Sequence, residues 1–329
     1  MTRAIFLGLL VVCAAAVSAD VVEDNRQLIS LTFPSSTLGL RIPRLGLGTA
    51  GLGSQTSHIT HASLIAGVRL IDTAQAPEWY DERGVGEGMQ DFLRFSPEVN
   101  KESIVVITKV HPRSFEKMKM EASLLASSNS INGDSTSTLD VVLLHAPTCW
   151  PGHCTPEEES ISWQVGWKNL VDQMEMGKIS AVGVSNFDKA RLEELLEITT
   201  AKVTIVQNWM DPFHQDFETR QFATENNIIY MAYSSFGTQW QGKFAENPVF
   251  SSKVLNQIAL KHDTTVSNVV LSWLLQEQVV AIPRASTRPH LIENARPISN
   301  GIRDEAMRVF LDDADMQSIR SLDGTLGDL

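Results

Sequence analysis

Eight short runs rich in Val, Ile and Leu recur along this chain, each followed by a stretch in which apolar residues return at helical spacing. The runs are RLGLGTA (44–50), RLIDTA (69–74), SIVVITKV (103–110), LDVVLLHA (139–146), SAVGVSN (180–186), TIVQNWM (204–210), IIYMAYSS (228–235) and VVAIPRA (279–285). Their apolar residues are nearly continuous, which predicts strands buried on both faces, and strands of that kind run parallel with helices between them. SWQVGWKNLVDQMEMGK, DKARLEELLEITT and FETRQFATENN are amphipathic stretches of the intervening kind. Eight strand-then-helix units is the number that closes a barrel, so the expected class is α/β, a (β/α)8 TIM barrel. An open doubly wound sheet would need a glycine fingerprint opening a helix. GLGTAGLG at 46–53 has no good helix directly after it, and no acidic residue caps a following strand near position 70 in the expected way.

No Pro/Gly/Ser-rich linker divides the chain after the first strand, so residues 20–329 are expected to form a single domain. LISLTFPSSTLGLRIPRL reads as a β-hairpin, turning at Pro34 to Ser36, that plugs one end of the barrel. SSNSINGDSTST (127–138) is predicted as a polar surface loop between the third helix and the fourth strand. The segment from Gly237 to Val249 is the longest insertion after a strand and falls on the face where barrels place their chemistry. Residues 1–19 combine a basic Arg3, an apolar run from Ile5 to Val17 and small residues up to Ala19, the pattern of a cleaved signal peptide. The alternative, a membrane anchor, would need an apolar run of about 20 residues. No later segment is long and apolar enough to span, so stable membrane insertion is not expected. The net charge of −12, with no cluster of Lys and Arg, argues against nucleic acid as a partner. Cys149 and Cys154 in CWPGHC can close a disulfide in an oxidising lumen or stand as two independent thiols, and the sequence leaves both open. With His153 they lack a fourth ligand, so no metal is expected.

If the strands are parallel, their C-terminal ends converge on one rim, and those ends hold Asp72, Lys109, His145, Asn186, Gln207 and Tyr233. Together with IPRLGLGTA, GVRLIDTA, WYDERGVGEGM, ITKV, LDVVLLHAP, GKISAVGVSNF, VQNWMDP, MAYSSFG and VVAIPRAS...HLIENA, in this order, they make the chain resemble the aldo-keto reductases over essentially its whole length after residue 19. The resemblance implies NADPH-dependent reduction of a small-molecule aldehyde or ketone by a tetrad of Asp72, Lys109, His145 and a tyrosine. Tyr80 is the candidate proton donor. A free phenol is a poor acid at pH 7, and the ammonium of Lys109 at about 4–6 Å is expected to ease proton release. Asp72 would hold Lys109, and His145 would orient the substrate carbonyl. One departure bears on this assignment. The family tyrosine follows the aspartate by five residues and precedes a glutamate by three, whereas here Pro77 stands at the first spacing and Tyr80 and Glu82 come later. Trp79 could instead take the tyrosine's place and leave a protein that binds cofactor without turning over.

The resemblance also assigns the cofactor site. Ser185, Asn186 and Gln207 would hold the carboxamide, Tyr233 would stack on the nicotinamide, and Gly48, Thr49 and Ser234 would line the same cleft. Arg284, Ser286, His290, Glu293 and Asn294 would receive the 2′-phosphate, with Arg288 an additional candidate. His290 stands where the family often has arginine, so NADPH is expected and NADH is left open. Trp79, Trp150 and Trp240 are candidate substrate contacts, and the protein is expected to act as a monomer. A regulatory NADPH-binding member of the same fold is the second reading. A secreted glycoside hydrolase is the third, but only Asp72 and Asp211 lie near strand ends and the first is committed to Lys109. A signal peptide sends the protein into the secretory route, to a lumen that keeps reduced cofactor or to a plastid reached through that route.

Overall fold

In strand after strand, inward positions alternate with outward ones, and the inward set ends in a polar residue. The computed structural model describes residues 32–34, 41–295 and 309–327; the predicted signal peptide lies outside them. Eight parallel strands follow the chain in order: β3 (Leu47–Gly48), β4 (Leu70–Asp72), β5 (Val105–Val110), β6 (Leu139–Leu144), β7 (Ile179–Ser185), β8 (Val203–Trp209), β9 (Ile229–Tyr233) and β10 (Val280–Ala281). The first and last close on each other: Gly46 N donates to Ala281 O (2.9 Å), Ala281 N to Arg44 O (2.8 Å) and Gly48 N to Pro283 O (3.2 Å). Gly48 is required at this closure, because a Cβ there would lie 2.7 Å from Ile282 O.

Leu70, Val105, Ile107, Val141, Leu143, Ala181, Ile205, Ile229, Met231 and Val280 fill the barrel interior, and the residues alternating with them pack outward against the helices. At the N-terminal end, β1 (Thr32–Pro34) pairs antiparallel with β2 (Arg41–Pro43), and Ile42 joins the interior cluster, fully buried. The plug expected from the sequence is therefore present. Pro34 belongs to the strand itself, in register with Arg41, so the chain does not turn there; residues 35 and 36 lie outside the described set.

The helices are α1 (Thr56–Ile65), α2 (Glu82–Phe95), α3 (Lys117–Asn132), α4 (Pro156–Glu159), α5 (Trp163–Glu175), α6 (Lys189–Ile198), α7 (Phe217–Glu225), α8 (Pro248–Ser251), α9 (Lys253–Lys261), α10 (Val266–Gln276), α11 (Arg288–Ala295) and α12 (Asp313–Arg320). The polar connection predicted at 127–138 is helical over its first half. α3 runs to Asn132 and stops at Gly133, whose φ of 80° ends the helix in the left-handed conformation. Its serines are tolerated because tertiary partners satisfy them: Ser128 Oγ donates to the carbonyls of Asp134 and Ser137, both at 2.8 Å. No helix among the described residues is long and apolar enough to cross a membrane.

Candidate active site

The two-residue period of the strands carries each inward row one step past its last apolar member and puts a polar side chain at the rim. Leu70 leads to Asp72, Ile107 to Lys109, Leu143 to His145, Gly183 to Ser185, Ile205 to Gln207, Met231 to Tyr233 and Ile282 to Arg284. The sequence named every one of these residues, and barrel closure gathers them at the C-terminal face.

Asp72 and Lys109 are 2% and 1% exposed. Lys109 Nζ lies 2.7 and 2.8 Å from the two carboxylate oxygens of Asp72 and donates to Thr73 O at 2.9 Å. Gln207 Nε2 donates to Asp72 Oδ1 at 2.7 Å. Burial pushes the carboxyl up and the ammonium down, and each partner opposes the shift in the other. Thr49 steadies the strand beneath: its backbone N–H (3.0 Å) and its hydroxyl (2.8 Å) both donate to Asp72 O.

Tyr80 reaches this pair from the loop between β4 and α2. Trp79 N and Tyr80 N both donate to Ala76 O at 2.9 Å, and Asp81 caps α2 by accepting from Gly84 N. The three extra residues before Tyr80 are thus taken up in a turn, and the phenol ring lies 5.0 Å from Lys109 Nζ and 5.8 Å from the His145 ring. Trp79 points elsewhere, against Trp150 and His153. Burial, and after it the charge of Asp72, push the phenol well above its ordinary value. The direction is opposite to the sequence expectation, because burial disfavours the charged phenolate and the carboxylate of Asp72 adds to that. His145 is held well below its ordinary value by burial and then by Lys109, so its imidazole is neutral. Its Nδ1 is buried and has no hydrogen-bond partner among the described residues.

Sequence reasoning missed a second bracket on Lys109. Glu82, in the first turn of α2, accepts from the hydroxyls of Thr108 and Ser127, and its charge favours the ammonium. His111 was also missed, although it directly follows β5; its ring lies 6.3 Å from that of His145. Burial and then Arg113 push it down to about 4.

On the opposite wall Ser185 Oγ donates to Gln207 O (2.8 Å), Asn186 Nδ2 to His145 O (2.8 Å), and the Tyr233 hydroxyl to Asn186 Oδ1 (2.6 Å). Asn186 and Ser234 hold the left-handed conformation, with φ of 60° and 55°, which turns each loop sharply off its strand. Ser185, Asn186, Gln207 and the face of Tyr233 offer amide donors, acceptors and a flat ring, a set that fits a carboxamide on an aromatic heterocycle. They line a cleft of about 1120 Å³ together with Gly48, Asp72, Trp79, Tyr80, His145, Trp150, Ser234, Trp240 and Arg284. That volume exceeds the roughly 300–1,000 Å³ of ordinary small-ligand sites, as a dinucleotide together with a substrate would require. Arg284, Ser286, Arg288 and His290 are exposed near the N-terminus of α11. Glu293 accepts from the Thr265 hydroxyl and Asn294 is buried. Trp240 is fixed by its indole N–H, which donates to buried Asp211 (2.8 Å). Cys149 and Cys154 are joined in a disulfide, which settles the alternative the sequence left open. Among the described residues no group of three or more His, Cys, Asp or Glu side chains is placed to hold a metal ion.

A closed parallel barrel with a buried Asp–Lys pair, a phenol and a neutral imidazole beside an amide-lined cleft defines a nucleotide-binding (β/α)8 protein. A model of the Aldo/keto reductase family matches residues 44–310, and the chain belongs to that family. It is 30% identical over 273 residues to a 9,11-endoperoxide prostaglandin H2 reductase of Trypanosoma cruzi, covering 82% of this chain and 87% of that protein. It is 32% identical over 259 residues to a glyoxal reductase of Bacillus subtilis, covering 78% and 83%. Among solved structures, an aldo-keto reductase of the silkworm Bombyx mori superposes with a TM-score of 0.74 at 26% identity, covering 89% of this chain and 88% of that one. An aldo-keto reductase complexed with NADPH gives 0.74 at 25% identity, with the same coverage.

Proposed function

We propose that this protein is an NADPH-dependent carbonyl reductase in which Tyr80 protonates the carbonyl oxygen of an aldehyde or ketone. The observation that carries the reading is the convergence of Tyr80, Lys109 and His145 at one end of the cleft, with Lys109 fixed by Asp72. Bound NADPH supplies the hydride. Ser185, Asn186 and Gln207 would hold its carboxamide, Tyr233 its ring face, and Arg284 with the exposed edge of α11 its 2′-phosphate. Relatives support this cofactor: a D-xylose reductase of Scheffersomyces stipitis named as NAD(P)H-dependent is 28% identical to this chain. The Tyr80 phenol carries its proton at neutral pH, and because burial makes it a weaker acid, its transfer depends on how well the phenolate is stabilised. Lys109 stabilises the phenolate left behind, Asp72 keeps the ammonium in place, and neutral His145 orients the carbonyl oxygen. Trp79, Trp150 and Trp240 form walls that suit aldehydes of varied size.

All of these residues come from one barrel, so a monomer suffices. The Cys149–Cys154 disulfide supports reading residues 1–19 as a secretory signal, since disulfides persist in oxidising compartments. The test is NADPH oxidation over a panel of aldehydes and ketones beside Tyr80→Phe. Turnover should fall by at least about a hundredfold, the lower range for a positioned acid, while NADPH affinity is kept. Equal rates would remove Tyr80 as the acid, and NADPH binding by a parent that oxidises none of it would favour the regulatory reading.

A further inference from the structure

Among the described residues, nothing hydrogen-bonds the His145 ring at Nδ1. Its backbone is fixed, with N donating to Val110 O (2.9 Å) and O accepting from Asn186 Nδ2 (2.8 Å), but neither bond restrains rotation of the imidazole. That rotation is broad for a histidine unless a partner or tight packing stops it. Three aromatic rings pack around the imidazole, Tyr80 at 5.8 Å, His111 at 6.3 Å and, nearest of the three, Trp150. Trp150 meets the His145 ring edge-on at 4.9 Å and also touches the rings of His111 (5.3 Å) and Trp79 (5.6 Å).

Trp150 is carried by the surface loop between β6 and α4, where a half-buried tryptophan would ordinarily sample several rotamers. This loop is closed on itself. Cys149 and Cys154 are joined with their Cα atoms 6.1 Å apart, Gly152 turns the chain at a φ of 79°, and His153 N donates to Trp150 O at 3.1 Å. From the same ring of residues His153 covers Trp79 at 4.8 Å, and its Nδ1 lies 3.7 Å from Glu78, which also pairs with Arg113. The disulfide loop is thereby seated on the lengthened loop that delivers Tyr80. A small covalent ring lowers the entropy the loop must lose to hold Trp150 in one place.

We propose that Trp150, held by the Cys149–Cys154 bond, is the positioning residue for the His145 ring, doing by packing what a hydrogen bond to Nδ1 would otherwise do. This rests on the reductase reading, in which His145 orients the carbonyl. A role in orienting His145 acts on every substrate, whereas a wall that only contacts substrate acts on bulky ones, and the two can be separated by size.

The experiment compares Trp150→Ala, Trp150→Phe and Cys149→Ser/Cys154→Ser with the parent on glyoxal, too small to need the wall, and on 4-nitrobenzaldehyde. Trp150→Ala should lower kcat on both by about tenfold to a hundredfold, the scale of a small misplacement of a catalytic group, with NADPH affinity unchanged. Trp150→Phe should recover most of the loss, and the double serine variant should fall between. An effect confined to KM for the aryl aldehyde overturns the proposal. So does the finding of two free thiols in the native, unreduced protein, a measurement that needs no variant to fold. If the parent reduces no carbonyl, the reductase reading fails, and the positioning claim is decided by the NMR signal of the His145 ring C2 proton. Displacement of that signal in Trp150→Ala and in the double serine variant supports it, and an unmoved signal overturns it.

Discussion

At the residue scale the site turns on two fully buried opposite charges compensated by each other, by the Gln207 amide and the Thr73 carbonyl, and by the nearby charge of Glu82. Removing one member strands the other, so Asp72→Ala should destabilise the fold by about 3–5 kcal/mol in urea denaturation. Replacing both, as in Asp72→Leu/Lys109→Met, should restore much of that stability while turnover stays lost, which separates what the pair does for folding from what it does for chemistry. The imidazoles give a second expectation. Burial and the cations around them lower both His145 and His111, so both stay neutral as pH falls through the usual histidine range. A plot of kcat against pH should therefore show no step near 6.5 from His145, and the NMR titration of His111 should have its midpoint at about 4. A step at the ordinary histidine value would mean that water reaches the rings more freely than the packing allows.

At the element scale, α2 does two jobs with one end. Its cap follows Tyr80 directly, and its first turn places Glu82 behind Lys109, so its seating against α3 sets the depth of the site. The seat is tight: a Cβ on Gly86 would lie 2.1 Å from Ser130 O. Gly86→Ala should destabilise by about 1–3 kcal/mol, and, by tilting α2, should slow turnover more than it weakens NADPH binding. This contact also marks the limit of what the sequence disclosed. The strands and their terminal residues were legible because a two-residue period needs no knowledge of neighbours. The helical nature of 127–132 was not, since serines there are stabilised by Glu82 and by carbonyls of the following turn, contacts that exist only in the assembled fold. Tyr80 could be named from its neighbourhood in sequence, but the direction of its titration could not, because it depends on how deeply the ring is buried and, after that, on how near it lies to Asp72. The pairing of the two cysteines was equally out of reach, since their spacing alone suits both a bridge and two thiols.

For the whole molecule, the barrel separates stability from chemistry by its two ends. Ile42 sits in the floor, remote from the rim residues in the interior rows. Ile42→Ala should cost about 2–5 kcal/mol while KM and NADPH affinity stay as they were. The hydrogen bonds that join Arg44, Gly46 and Gly48 with Ala281 and Pro283 have a further consequence for biosynthesis. A ribosome releases the first strand more than 200 residues before the last one (Leu47 against Val280), so until then the nascent sheet carries two bare edges that can pair with other chains. A chain stopped before Val280 should keep the tetrad residues yet scatter light as aggregates, and the cell must shelter the growing polypeptide until its final strand arrives.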